Sequence, residues 1–423
     1  MKARTLRGDR LHIGFFGRRN AGKSSLVNAV TGQAVAIVSD VPGTTTDPVY
    51  KAMEMLPLGP VVLIDTAGLD DISDILGEER KRHAGRVLSR TDLALLVVDA
   101  RGDDFAFEEE LLSRLEKEKI PVIIVVNKID LEMGEAARRW LTGRVFVRAS
   151  AVTGRGIDEL KRRIKELAPR EWEPPFVRDL VHPEEVVVLV TPIDLGAPRG
   201  RLIMPQVKAL RDILDGDAIP VMCKERELRS TLAALREPPA LVVTDSQVFP
   251  QVAADLPPTV HLTSFSILSI RQKGELGQMV KGVAAVSGLR PGDRVLIAEA
   301  CTHHPLEDDI GRIKIPRWLN HHVGGELKID TVPGFDYPDD LEKYSLVVHC
   351  GGCTLNRREM LRRQRIAAEH GVPVTNYGVL IAFLKSVFPR ALEPFPEFAR
   401  LFSAGGEEVD RDMARRMAGF TEI

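Results

Sequence analysis

Several groups of residues in this chain have types and spacings that could do chemistry. Gly17-Arg-Arg-Asn-Ala-Gly22-Lys23-Ser24 has the spacing GxxxxGK[ST], between the apolar run HIGFF and the helical pattern SLVNAVTG. Glycines there let the backbone wrap a phosphate, and N–H groups at a helix N-terminus form an anion nest. Asn20, Ala21 and Ser25 complete the loop contacts. Lys23 would reach the β- and γ-phosphates and assist catalysis, and Ser24 would ligate Mg²⁺. Asp65-Thr-Ala-Gly68 ends a later apolar run. Asp65 would hold Mg²⁺, and the Gly68 N–H would sense the γ-phosphate. Asn127-Lys128-Ile-Asp130 and Ser150-Ala151 end two more runs. A carboxylate at 130 can accept the N1–H and 2-amino group of guanine, a donor pair that adenine lacks. Ser150-Ala151 can offer a backbone N–H to the guanine O6. These motifs, in order and at strand ends, point to GTP with Mg²⁺.

Another group is sulfur-based. Cys301-Thr-His303-His304 and Cys350-Gly-Gly-Cys353 each follow an apolar strand candidate. In a parallel sheet both would meet at one edge. Cys301, Cys350 and Cys353 with His303 could be a Cys₃His zinc site, an iron–sulfur site with a non-Cys fourth ligand, or unligated thiols. His304, His349 and Glu307 are rivals to His303. The arginines of 357–365, with Arg312, Lys314, Arg317 and a helix start near Asn356, should favour thiolates and an anionic cluster. Cys223 reads as buried packing.

The elements that must position these groups follow from the pattern. Five Val/Ile/Leu-rich runs between residues 11 and 168 alternate with amphipathic stretches, as buried parallel strands joined by helices do. The proline-rich stretch from Pro169 to Phe176 reads as a linker. Further strands are expected at VVVLV, AIPVMC and PALVVT, then at RVLIAEA, GELKIDTV and YSLVVHC, with one long helix over 265–289. The fold class is α/β, with an N-terminal P-loop GTPase fold and mostly parallel sheet, then two smaller α/β domains with parallel sheets. The expected domains are 1–172 for GTP binding, 173–275, whose apolar helices would suit an oligomer interface, and 276–395, which carries the cysteine groups, with a tail over 396–423.

Composition bounds the partners. The 423 residues are 44% hydrophobic and 28% charged, an ordinary globular balance. Lys+Arg of 58 against Asp+Glu of 60, with 5% aromatics, argues against a nucleic-acid partner. Four cysteines in so long a chain suit reduced thiols rather than a disulfide framework. No run reaches the ~20 apolar residues of a membrane span, so a soluble cytoplasmic protein is expected.

The N-terminal motifs resemble the translation-factor-like GTPases, and Pro42-Gly-Thr-Thr-Thr-Asp47 resembles the GTTxD element of the Era/TrmE-like group. That resemblance implies Thr45, with Thr44 next, as the second Mg²⁺ hydroxyl ligand. Leu69 follows Gly68, where Ras-like enzymes carry a water-orienting glutamine, and cannot do that job. Asn20 matches the asparagine by which potassium-dependent members hold K⁺ beside the phosphates, in place of an arginine finger. With CTHHPLEDDIGRIKIPRWL and HCGGCTLNRREM, the whole chain resembles the [FeFe]-hydrogenase maturation GTPases. The resemblance implies a [4Fe–4S] cluster on Cys301, Cys350 and Cys353 with an exchangeable fourth position. It implies a homodimer or tetramer that acts as scaffold and carrier. The cargo would be a transient diiron precursor from radical-SAM hydrogenase maturases, delivered to apo [FeFe]-hydrogenase. The rim Arg357, Arg358 and Arg362 would attract anionic cargo. The alternative is a potassium-dependent GTPase of RNA modification or ribosome assembly with a structural zinc domain.

Overall fold

The computed structural model describes residues 10–32, 49–66, 85, 87–168, 174–192, 202–300, 309–334, 337–338 and 340–398. These fall into two compact units, Met1–Trp172 and Glu173–Ile423.

The first unit is built on six strands: β1 (Leu11–Phe16), β2 (Val49–Met55), β3 (Gly59–Asp65), β4 (Leu93–Asp99), β5 (Val122–Asn127) and β6 (Phe146–Arg148). Their order is β2-β3-β1-β4-β5-β6. All neighbours run parallel except β2 against β3. Alternate residues feed two apolar layers: Ile13, Leu63, Leu95 and Val125 face one, and Phe16, Ile64, Leu96 and Val126 the other. A strand buried on both faces must be apolar throughout, which is why these runs stand out in the sequence. β2 does not stand out. Its sequence VYKAMEM is half-exposed at the sheet edge, where Lys51 and Glu54 meet water. The parallel register puts Phe15 beside Asp65 and Asp99 beside Asn127, so the chemistry-bearing residues collect at one edge.

The second unit carries two four-stranded parallel sheets. One holds β7 (Val186–Val190), β8 (Ile219–Cys223), β9 (Leu241–Thr244) and β10 (His261–Ser264), ordered β10-β9-β7-β8. The other holds β11 (Arg294–Ala298), β12 (Lys328–Val332), β13 (Leu346–His349) and β14 (Val374–Asn376), ordered β12-β11-β13-β14. The short edge strands β10 and β14 escape the sequence reading. One continuous apolar core joins the sheets, including Leu189, Leu268, Ile297, Val348 and Leu380. Helix Tyr377–Leu384 is buried from Gly378 to Phe383, and the Asn376 side chain caps it by accepting from the Val379 N–H. Each of its Val, Leu and Ile side chains contributes roughly 1.5–3 kcal/mol by burial.

The single helix expected over 265–289 is corrected. It is Phe265–Lys273, then Leu276–Val283, then a tight turn over Ala284–Gly288. Gly274 is extended, and a Cβ there would lie 2.4 Å from the Gln364 Oε1. Gly274 is thus a local stop signal, reinforced by the close approach of the neighbouring helix. Among the described residues no helix is long and apolar enough to cross a membrane.

Candidate nucleotide and metal sites

The phosphate loop follows β1 without a break. Gly17 has φ +141°, and a Cβ there would lie 2.1 Å from the Val97 carbonyl oxygen. Gly22 has φ +91° and opens helix Lys23–Thr31, and its Cβ would lie 2.2 Å from the Asn127 Nδ2. Side chains rarely adopt either backbone, so glycine is required twice over. Asn20, exposed at φ +63°, supplies the remaining left-handed turn, which Asn tolerates. Lys23 is buried, and its amine donates to the carbonyls of Gly17 at 2.6 Å and Arg18 at 2.9 Å. The amine is thus held inside the loop, where phosphate oxygens would bind. Ser24 and Ser25 are half-buried on the helix's first turn. Asp65 is buried at the end of β3 beside β1, and the next hydroxyl, Thr66 Oγ1, donates to the Phe15 carbonyl at 2.5 Å.

The base-reading motifs are tied to this loop. The Asn127 Nδ2 donates to the Ala21 carbonyl at 2.8 Å, and its Oδ1 accepts from the Ala151 N–H at 3.2 Å. One buried amide therefore joins the phosphate loop to Ser150-Ala151. The Lys128 amine donates to Asp99 Oδ2 at 2.7 Å, an acceptor the sequence reading missed although it ends the run LALLVVD. Asp130 is exposed and accepts from the Ser150 hydroxyl at 2.5 Å. That hydrogen bond is the main reason its carboxyl lies below the usual carboxylate range. An ionised, aimed carboxylate is what two guanine donors require. Arg18 is held by Asp104 at 2.7 Å and by the buried Glu108 at 3.2 Å, contacts with no sequence signal. Thr44, Thr45 and Gly68 lie outside the described residues.

At the sulfur site, Cys350 and Cys353 occupy the loop between β13 and helix Arg357–Glu369. Cys301, His303, His304 and Glu307 lie outside the described residues. Among the described residues no three His, Cys, Asp or Glu side chains form a group able to hold a metal. The Cys350 Sγ accepts from the Ala300 N–H at 3.1 Å and the Gly352 N–H at 3.4 Å. Ala300 follows β11, whose end lies beside the end of β13 in the sheet. The helix start at Asn356 is as expected, its side chain accepting from the Glu359 N–H at 3.2 Å. The expectation of a ready thiolate is corrected. Burial, then the neighbouring Cys353, pushes the Cys350 thiol up to about 11, and the two N–H groups and Arg363 offset only part of that. A metal would have to displace the proton.

His349 has no lone pair to offer in this arrangement. It is buried, with Nδ1 2.8 Å from the Cys350 carbonyl and Nε2 3.0 Å from the Arg363 guanidinium. Arg363 can only donate, so Nε2 accepts and Nδ1 carries the proton. Burial and Arg363 hold the imidazole neutral, lowered to about 3. Arg363 is itself buried, donating also to Glu359 at 3.1 Å and the Gly334 carbonyl at 2.8 Å. The basic rim is corrected in part. Arg357 spends its guanidinium on the carbonyls of Gln272 at 2.8 Å and Gly274 at 3.3 Å, and Arg362 lies 3.5 Å from Glu359.

Set beside known proteins, residues 277–394 match the model of the hydrogen maturase F tetramerization domain, and residues 176–274 that of the hydrogen maturase F dimerization domain. Residues 12–128 match a model described as a 50S ribosome-binding GTPase. Curated relatives include the tRNA modification GTPase MnmE of Chromobacterium violaceum, 39% identical over 157 residues that cover 37% of this chain and 34% of that one. The MnmE of Legionella pneumophila strain Paris is 42% identical over 154 residues, 36% of this chain and 33% of that one. The chain thus spans about a third of the length of these relatives. Among solved structures, the G domain of the T. maritima FeoB iron transporter is 30% identical with a TM-score of 0.29, covering 38% of this chain and 99% of that one. The N-terminal unit is a P-loop GTPase domain, and α/β domains with parallel sheets follow it.

Proposed function

Since the chain belongs to the hydrogen maturase F family, a GTPase of hydrogenase maturation with dimerization and tetramerization domains, we propose that it is a scaffold and carrier that binds a [4Fe–4S] cluster and delivers a diiron precursor to apo [FeFe]-hydrogenase. The observation that carries this reading is the N–H of Ala300, the residue before Cys301, donating to the sulfur of Cys350. It supports a shared centre for Cys301, Cys350 and Cys353. The donor set fits a cluster: thiols, backbone N–H groups turned on sulfur, and a glycine at φ +63° in the CxxC loop. When bound, the cluster would supply an iron with an exchangeable fourth ligand. Since His349 is committed to Arg363, His303 is the side chain best kept as that ligand. The radical-SAM maturases would supply the cargo, and the apo-hydrogenase would receive it.

The chain's own residues bind and orient. Gly17, Gly22 and Lys23 would hold the phosphates. Asn127, Asp130, Ser150 and Ala151 would hold guanine. Ser24, Asp65 and Thr45, with Thr44 as the next candidate, would hold Mg²⁺, and the Gly68 N–H would sense the γ-phosphate. Bound GTP would order the segments around Thr45 and Gly68, and hydrolysis would release them, so biasing contacts with partners. We keep the domain division at 172, 275 and 395. The likeness to MnmE covers the GTPase domain, so it bears on how GTP is cleaved rather than on RNA.

Two experiments test the reading. Protein purified without oxygen is expected to be brown, with iron and acid-labile sulfide. Loaded with precursor, it should activate apo-hydrogenase, and a Cys353→Ala variant should not. Colourless protein with stoichiometric zinc would end the proposal. Hydrolysis is also expected to be about 10²-fold faster in K⁺ than in Na⁺, the scale of one charge-stabilising group. Asn20→Ala should remove that difference, and equal rates in the two salts would remove K⁺ from the account.

A further inference from the structure

Lys273 is the last residue of helix Phe265–Lys273, which leaves β10 of the other sheet, yet its amine is buried against the CxxC loop. It donates to the carbonyls of Leu355 at 2.9 Å, Gly352 at 3.3 Å and Cys353 at 3.4 Å. Arg357, at the far end of the same loop, returns the contact to the carbonyls of Gln272 and Gly274. Loop and helix end therefore clasp each other through two cations and five carbonyls. Taking an ammonium out of water is costly, and the convergence of carbonyls offsets that cost only while the loop keeps this shape.

The clasp also sorts the polarity of the loop. Carbonyls of Gly352, Cys353 and Leu355 turn to Lys273, whereas the N–H of Gly352 turns to the Cys350 sulfur. Oxygens are drawn away from the sulfurs and hydrogens toward them, and a fixed positive charge lies behind. This arrangement offsets part of the cost of burying the sulfurs and would favour an anionic cluster at the front.

We propose that Lys273 is the positioning residue of the metal site. It holds the loop of Cys350 and Cys353 in its ligating shape and supplies the buried charge that balances a bound anionic cluster. The inference rests on the cluster reading above for its second half, and on the apo-protein alone for its first.

The test uses the full chain, purified without oxygen, with Lys273→Met, which removes the charge but keeps the length, and Lys273→Arg, which keeps the charge. In apo-protein, amide hydrogen exchange at Gly352 and Leu355 is expected to rise at least about tenfold in Lys273→Met, as a loop loses its anchor. After reconstitution with ferrous iron and sulfide, Lys273→Met should retain iron against a chelator about 10- to 100-fold less well. Its reduction equilibrium should fall about tenfold, about 59 mV more negative for one electron, because the reduced cluster carries more negative charge. Lys273→Arg should restore most of the potential, a rescue that loop packing alone would not give. Unchanged exchange in Lys273→Met overturns the positioning role, and an unchanged potential in the reconstituted variant overturns the charge-balancing role. Wild-type protein that takes up no cluster removes the cluster reading, and the exchange experiment then decides the role of Lys273 by itself.

Discussion

Asp130→Asn is expected to weaken GTP binding about 10³-fold while leaving the fold intact. A carboxylate facing the N1–H and 2-amino group of guanine accepts two charge-assisted hydrogen bonds, each about 1.5–3 kcal/mol. An asparagine keeps one acceptor and turns an amide N–H toward the other donor. Losing about 4 kcal/mol corresponds to roughly a thousandfold in affinity. The carboxylate is prepared for this task, since the Ser150 hydroxyl donates to Asp130 and helps keep it ionised. It is also exposed, and the Oδ1 of an asparagine can still accept from the buried Ser150 hydroxyl, so the fold should tolerate the replacement. Nucleotide titration checks the loss. Xanthosine triphosphate provides the positive arm, because xanthine carries a carbonyl where guanine carries the 2-amino group. The variant should prefer it to GTP. Equal affinity of wild type and Asp130→Asn for GTP would show that another group reads the base.

Cys350→Ser should have the largest effect at the other end of the chain. A serine hydroxyl is a harder and far weaker acid than a thiol, and it reaches less far toward a metal. Bound iron and acid-labile sulfide after anaerobic reconstitution are expected to fall to near background, a loss of at least about 10²-fold in retention, beyond the scale of outer-shell changes. The exchange of one atom changes little packing, so the melting temperature should move by only a few degrees. Cys223→Ser is the matched control. Cys223 is buried at the end of β8, its thiol pushed up by burial, and iron content should not respond to it. Wild-type iron content in Cys350→Ser would dismiss the CxxC loop as the metal site.

The parts of the protein legible in its sequence are those whose requirements are local. A phosphate loop needs left-handed backbone at fixed steps, so Gly17, Asn20 and Gly22 mark it. Strands β1, β3, β4 and β5 are buried on both faces and must be runs of apolar residues. The edge strands β2, β10 and β14 are short or half-wet and carry no such mark. The cysteines are visible as types and spacings, but not the state of their protons. Local composition suggested thiolates beside arginines. Burial overrode it, and Arg357 proved to be engaged with the carbonyls of Gln272 and Gly274.

By itself, then, the sequence determined the motifs of a nucleotide-binding edge and of two sulfur-bearing strand ends, because each motif is set by residues within a few positions of one another. Only the tertiary structure decided that His349 is spoken for by Arg363, that Asn127 joins phosphate loop to base loop, and that Lys273 holds the CxxC loop from about eighty residues away. Such contacts form when distant segments share one core. No periodicity or spacing in the chain encodes which carbonyl a buried cation will meet.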